Sequence, residues 1–196
     1  MMPKGKGFTL IELLVVIAIL AVLATAVIIV INPAQLIRQA RDSTRISDLA
    51  ALNSAVSLYL ADVASPGLGG ADNASCSSAT EKCTSGTSGR QSSGSCSANA
   101  TTAVDGTGWI SVDFLNISSG SPLARLPIDP NNTSTNCGTG AQACFYSFIC
   151  NSTNYEINAA MESTKFSNGG GSDVEINTKD GGSQDNVYEV GNKLDI

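Results

Sequence analysis

The sequence predicts an α+β protein in which one long N-terminal helix carries a small antiparallel β-sheet head. Three observations lead to this prediction: an apolar run opens the chain, a helix-period pattern follows it, and strand-like segments appear only in the second half. A helix placed before a group of strands is typical of α+β domains. The 196 residues leave room for about one domain besides the apolar segment.

The first element is an apolar, membrane-spanning half of the helix, predicted over residues 8–33. From Leu13 to Ile31 there are 19 residues without a charge, and Thr25 is the one polar side chain among them. This is close to the roughly 20 residues that cross a bilayer core. Glu12 lies at the start of the run, where a carboxylate is costly in lipid, so we expect it to have a functional partner.

The spacing of residues around Glu12 points to that partner. If the chain were cut between Gly7 and Phe8, the new α-amine would lie one helical turn before Glu12 on the same face. The segment Gly7-Phe8-Thr9-Leu10-Ile11-Glu12-Leu13 resembles the prepilin cleavage and methylation motif of type IV pilins and type II secretion pseudopilins. The resemblance implies a leader of residues 1–7, cleavage after Gly7 by prepilin peptidase, N-methylation of Phe8, and contact of Glu12 with the N-terminus of an adjacent subunit.

The same resemblance implies a cellular location and a type of assembly. Before assembly the protein would be a single-pass protein of the inner membrane, and an assembly platform there would polymerise identical subunits into a helical filament. The product would be an extracellular pilus or a periplasmic pseudopilus, in which a pseudopilin acts as part of a secretion piston. A membrane-tethered binding protein whose head acts alone is the alternative from a different functional class.

An ordinary secretory signal is the alternative interpretation of the N-terminus. Lys4 and Lys6 precede the apolar core, and Ala24-Thr25-Ala26 fits a small-x-small cleavage site. We favour the prepilin interpretation because the apolar run continues beyond that site to Ile31 and because Glu12 lies inside it.

The second element is an amphipathic half of the helix, predicted over residues 34–63. Pro33 removes a backbone hydrogen bond, so we expect a helix kink or a locally melted segment there rather than a full stop. Phe8 to Asp62 as one helix would be about 80 Å long. Apolar residues recur at steps of three and four and form one stripe that predicts packing on the sheet: Ile46, Leu49, Leu52, Val56, Tyr59 or Leu60, and Val63.

Three arginines, Arg38, Arg41 and Arg45, share one face of this second half. They suit contacts with another subunit or with lipid headgroups. They also suit a solvated basic face that Asp42 and Asp48 balance at helical spacing, and this is the interpretation we favour.

Composition excludes several classes of function. The formal charge is −6, and loss of Lys4 and Lys6 with a leader would leave 9 basic against 17 acidic side chains. A nucleic-acid binder would show the opposite balance. Histidine is absent, which excludes Ser-His-Asp and Cys-His catalysis and histidine metal sites. We therefore expect a protein that is not an enzyme and that requires no cofactor.

Residues 64–108 are predicted to form a long surface loop. Their composition turns to Ser, Thr, Gly, Ala and Asn, and such a segment needs crosslinks to offset its ordering entropy. An even number of cysteines downstream of an export segment predicts up to three disulfides among Cys76, Cys83, Cys96, Cys137, Cys144 and Cys150. We expect bridges within each cluster. Cys76 would pair with Cys83 or Cys96, and two of the last three cysteines would pair with each other.

The β-sheet head is predicted over residues 109–196. A first strand is predicted over Trp109 to Val112. A hairpin is predicted from Phe145 to Cys150 and Tyr155 to Met161, and a short last strand over Asn186 to Val190. The second hairpin strand alternates. Its apolar residues are predicted to face the helix, and its polar residues, Glu156, Asn158 and Glu162, to face water.

Two glycine-rich acidic loops lie near the end of the chain. Their oxygen side chains suit calcium, and the candidate ligands are Asp173, Asp180 and Asp185. Major pseudopilins carry a calcium site in a late acidic loop, so the resemblance points the same way. The spacing is not that of an EF-hand, and an ordinary solvated turn is the alternative that we favour.

Overall fold

The chain divides into two compact units, Met1–Ile37 and Arg38–Ile196. The computed structural model describes residues 7–69, 76, 81–86, 89–90, 95–170 and 176–196. It confirms the predicted order of elements, a long helical N-terminal part followed by a sheet.

The first unit is built around helix α1, Leu10–Ile31. It has the length and apolar composition of a membrane span. Asn32 ends the helix in the left-handed conformation (φ 44°), and its N–H donates to the Ile28 carbonyl. Pro33 is the first residue of helix α2, Pro33–Asp62, a position where the missing proline N–H costs little. The interruption predicted at Pro33 therefore consists of one non-helical residue, Asn32.

Helix α2 packs against the head through the apolar stripe that the sequence predicts. Leu49, Leu52, Val56 and Tyr59 are buried. They lie in one core with residues from the sheet and the loop before it, among them Trp109, Phe114, Tyr146, Phe148, Tyr155 and Ile157. Steps of three and four residues keep these side chains on one side of the helix, so a single face of α2 contacts the core.

The sheet of the second unit has five strands in the spatial order β2-β1-β3-β4-β5. They are β1 Glu81–Cys83, β2 Cys96–Ala98, β3 Tyr146–Asn151, β4 Asn154–Ala159 and β5 Tyr188–Gly191. All pairings are antiparallel except β1 with β2, which is parallel. Two short 3₁₀ helices, Phe114–Asn116 and Gly140–Gln142, lie between β2 and β3.

The hairpin of β3 and β4 confirms the prediction for this segment. Asn151 pairs with Asn154, so Ser152 and Thr153 form a two-residue turn. Ser152 has a positive φ of 59°, as tight hairpin turns require. The predicted last strand also exists, although it begins at Tyr188 rather than Asn186.

Two predictions about strands are wrong. The segment Trp109 to Val112 is not a strand, although Trp109, Ile110 and Val112 are buried. The Trp109 indole N–H donates instead to the Pro127 carbonyl at 3.0 Å, so this stretch fills the core as an irregular loop. Conversely, the segment predicted as loop contributes β1 and β2, whose three residues each are too short for a periodic signal.

The disulfides correct one predicted pairing. The structure joins Cys83 to Cys96 and Cys137 to Cys144. Cys76 pairs with Cys150, 74 residues later, and not with Cys83 or Cys96. The physical reason is that β1 and β2 lie side by side, which brings their own cysteines together and leaves Cys76 next to the end of β3.

The prediction that Glu156, Asn158 and Glu162 face water is also wrong, because all three are buried. Glu156 and Asn158 do point away from helix α2, but the C-terminal part of the chain covers that side of the sheet. Gly182 lies against the Glu189 carboxylate, and the backbone of Ile196 reaches Glu156. Glu162 follows the end of β4, where the chain has left the strand and approaches helix α2.

Candidate functional site

The sequence-predicted site lies immediately before helix α1. Gly7, Phe8 and Thr9 are outside the helix, and 82% of the Phe8 surface is exposed. Thr9 has an extended backbone (φ −83°, ψ 150°) and is the N-cap of the helix. The bond between Gly7 and Phe8 therefore lies in non-helical chain two residues before the helix begins.

Thr9 and Glu12 form a reciprocal capping box. The backbone N–H and the hydroxyl of Thr9 donate to Glu12 Oε2 at 2.8 and 2.7 Å, and the Glu12 N–H donates to Thr9 Oγ1 at 3.3 Å. Sequence reasoning missed this partner, although T-x-x-E before an apolar run is its known signature. In the uncleaved chain, Glu12 is thus held by Thr9, and the carboxylate satisfies donors that the helix itself leaves free.

The rest of helix α1 presents an apolar surface. None of its residues is buried within the part of the chain that the structure describes. Phe8, Ile11, Val15 and Val16 lie around Glu12 along one side. A soluble protein rarely leaves so large an apolar surface in water, so lipid or other helices must cover it.

A second group of charged residues connects helix α2 to the head, and we call it the ion cluster: Arg41, Asp42, Arg45, Asp129 and Glu162. Arg45 is fully buried and reaches three carboxylates. Its guanidinium donates to Asp42 at 2.7 Å, to Asp129 at 2.7 and 2.8 Å, and to Glu162 at 2.7 Å. The interpretation of Arg41 and Arg45 as a solvated basic face is therefore wrong.

The remaining bonds of the ion cluster tie it to the backbone after β4. The Asp42 carboxylate accepts from the N–H groups of Glu162 and Ser163 at 3.0 and 2.8 Å. Burial alone would raise the pKa of the Glu162 carboxyl, but hydrogen bonds from Arg41 and Arg45 hold it below its ordinary value. Glu162 is consequently ionised at neutral pH, and its bonds to Arg41 and Arg45 hold helix α2 against the head.

Two of the three predicted calcium ligands, Asp180 and Asp185, lie among the residues that the structure describes. Asp173 lies outside the described part of the chain, and Asp185 is exposed. Both Asp180 oxygens accept backbone hydrogen bonds, from Gly182 at 2.9 Å and from Glu189 at 2.8 Å. Asp180 thus bonds to its own turn and to the backbone of β5. Calcium binding stays a prediction from the sequence.

A family model described as the prokaryotic N-terminal methylation motif matches residues 2–28. No curated protein and no solved structure gives a significant match to the chain. The match includes the segment before the helix, the Thr9–Glu12 pair and most of α1.

Proposed function

We propose that this chain is a prepilin whose mature form is a structural subunit of a type IV pilus-like filament, and the match of residues 2–28 to the prokaryotic N-terminal methylation motif supports this. In this proposal prepilin peptidase cleaves after Gly7 and methylates the new Phe8 amine. The apolar helix holds the subunit in the membrane and later packs with helices of other subunits. The observation that carries the proposal is the carboxylate of Glu12 at the start of a helix without buried residues.

Glu12 has two successive partners in this mechanism. In the precursor its carboxylate binds Thr9. After cleavage a cationic amine becomes available one turn away on the same face. When the subunit enters an apolar bundle, an uncompensated charge costs several kcal/mol, so pairing Glu12 with the amine of a neighbour fixes the axial position of one subunit against the next.

The ion cluster has a supporting part in the same proposal. A filament assembled through helices must keep each head attached to its helix. Arg45 provides this attachment because it joins α2 to Asp129 and Glu162, which come from the head. A pilin-like subunit thus has separate residues for assembly and for holding its head.

Maturation is the first experimental test. Mass spectrometry of the membrane protein should show Phe8 as an N-methylated terminus. Gly7→Val should leave the precursor uncut, because a side chain at this position blocks the peptidase that the prepilin signal implies. A protein that starts at Met1 or at Val27 would contradict the proposal.

Assembly is the second test, and it separates the charge of Glu12 from its capping bond. Glu12→Gln keeps a capping-box residue but removes the charge, whereas Glu12→Val removes both. Both variants should be cleaved and should reach the membrane at near wild-type abundance, yet yield few or no filaments. Normal filaments from Glu12→Val alone would show that apolar packing is sufficient, and co-expressed wild-type subunits serve as the rescue control.

A pseudopilin of a type II secretion system is the alternative within the same family. It would use the same maturation and the same Glu12 pairing, but its filament would stay in the periplasm. Shearing of intact cells distinguishes the two, since a pilus is released into the medium and a pseudopilus is not. A membrane-tethered binding protein would form neither filament.

A further inference from the structure

Two glutamates lie side by side on the side of the sheet that faces away from helix α2, and we call them the carboxyl pair: Glu156 and Glu189. Both are buried, with exposures of 0% and 1%. Glu156 is opposite Gly191 and Asn158 is opposite Glu189, so the two glutamates are diagonal neighbours on β4 and β5. Long side chains reach each other at this spacing, and, besides burial, the nearby Glu189 carboxyl is one cause of a raised pKa at Glu156.

The carboxyl pair connects four segments of the chain. Glu189 Oε2 accepts from the Gln184 N–H at 2.9 Å, which ties the loop before β5 to the pair. Gly182 permits this approach, since a Cβ there would meet Glu189 Oε2. The backbone of Ile196 hydrogen-bonds to Glu156. The loop, β4, β5 and the C-terminus therefore meet at these two carboxyls.

The charges around the carboxyl pair disfavour a second negative charge. Burial and the neighbouring Glu189 raise the pKa of Glu156 to about 9. Asp180, in the adjoining loop, is a further carboxyl close to Glu189, and its pKa is raised by burial and by the charge of Glu189. Tyr188 also has a raised pKa, chiefly through burial. The cation that contacts β4 here, Arg90, donates its side chain to the carbonyls of Asn158, Ala141, Ala143 and Phe145. Its charge is also attracted to the buried Glu81, whose carboxylate accepts from the Arg90 backbone N–H at 2.7 Å.

We propose that Glu156 and Glu189 share one proton at neutral pH and form an alkali-sensitive contact that holds the C-terminal segment, residues 193–196, against the sheet. Loss of that proton to hydroxide leaves two adjacent buried carboxylates, which repel each other. The segments bonded directly to the pair open first, namely the end of the chain at Ile196 and the loop that carries Gln184. Asn192 stays bonded to Tyr155 and Thr153, so the opening begins beyond it. The proposal does not depend on filament formation.

Infrared spectroscopy of the full chain in detergent tests the shared proton directly. At pH 7 the wild-type protein should show the carbonyl band of a protonated carboxylic acid, and the band should titrate away near pH 9. Glu156→Gln and Glu189→Gln should both lack the band, so one variant suffices if the other does not fold. Absence of the band from wild type at pH 7 overturns the proposal.

Hydrogen exchange tests the conformational consequence. After correction for the pH dependence of intrinsic exchange, the protection of residues 193–196 should fall about tenfold or more between pH 7 and pH 10. Glu156→Gln should remove this change, because its amide keeps a donor to Glu189 without an ionisable group. Asp195→Asn, in the exposed pair with Lys193, is the matched control and should behave as wild type. An unchanged alkaline opening in Glu156→Gln contradicts the proposal.

Added calcium and EDTA distinguish a proton from a metal ion between the carboxyls. If the pair shares a proton, neither reagent changes the infrared band at pH 7. A band that appears only after EDTA treatment, or that calcium removes, would show that a cation occupies the pair and would overturn the proposal.

Discussion

The two sides of the sheet neutralise buried acids in different ways. On the side of helix α2, the carboxylates Asp42, Asp129 and Glu162 meet the guanidinium of Arg45. On the other side, Glu81 lies beside Arg90, whereas Glu156 and Glu189 have each other as neighbours. The pKa of Glu162 is consequently lowered and that of Glu156 raised, although both side chains are buried. Burial alone thus does not decide whether a carboxyl is charged; the group beside it does.

The difference also assigns different roles to the two sides. Glu162 has a lowered pKa, so it stays charged across the physiological range and keeps its bonds to Arg41 and Arg45 on helix α2. A carboxyl pair depends on a proton, so its contact responds to pH. The contact that holds helix α2 therefore does not change near neutral pH, whereas the contact that holds the C-terminal segment depends on pH.

Removal of Arg45 should have the largest effect. Arg45→Ala leaves buried carboxylates without their cation, and breaking a buried ion pair in this way costs about 3–5 kcal/mol of unfolding free energy. Arg45→Lys should restore only part of it, since one ammonium cannot replace a planar fork that reaches three carboxylates. Urea unfolding of the full chain in detergent, followed by the fluorescence of the single tryptophan Trp109, measures both.

Arg38→Ala is the control for Arg45, because Arg38 lies on the same helix and is only half-buried. Its free energy of unfolding should stay within about 0.5 kcal/mol of wild type. Equal losses for Arg38→Ala and Arg45→Ala would show that the ion cluster does not hold the helix.

The features that sequence alone predicted share a local cause. The apolar run of α1, the stripe on α2 and the hairpin of β3 and β4 each follow from residues fewer than about eight positions apart. The ion cluster and the Cys76–Cys150 bridge depend on contacts over 120 and 74 residues. No periodic signal encodes such distances, so Glu162 looked like a solvent-facing residue of an alternating strand.

The candidate site shows the same division. One short motif predicts Gly7, Phe8 and Glu12 as site residues. The same motif could have predicted the Thr9–Glu12 capping box, since its spacing is visible in the sequence. The carboxyl pair could not be predicted. Glu156 and Glu189 become neighbours only when β4 and β5 pair and the C-terminal segment covers them.

The pH dependence of stability is the second way to test the comparison. Glu162, with a lowered pKa, contributes stability that is present above its unfolded value of 4.5 and is lost as pH falls through the folded pKa. Glu156, with a raised pKa, contributes stability that is complete below 4.5 and is lost as pH rises towards about 9. The melting temperature should therefore peak near about pH 5 and fall by several degrees on either side.

Single variants separate the two arms of this profile. In Glu156→Gln, most of the fall in melting temperature above pH 5 should disappear, and the fall below pH 5 should stay as in wild type. Some alkaline slope should remain from Asp48 and Asp180, whose pKa values burial also raises. A melting temperature that rises between pH 5 and pH 9 in wild type would contradict the assignment of opposite signs to the two sides.

The smallest effect should come from Lys193, and it tests how the C-terminal segment is held. Lys193 and Asp195 form an ion pair at 3.6 Å whose side chains are 48% and 69% exposed. Such pairs contribute about 0–1 kcal/mol, because water and salt screen them. Lys193→Ala should therefore leave the free energy of unfolding and the exchange protection of residues 193–196 nearly unchanged at pH 7. A loss above about 1 kcal/mol, or early opening of the segment, would mean that a surface ion pair rather than the buried Glu156–Glu189 contact holds the C-terminus.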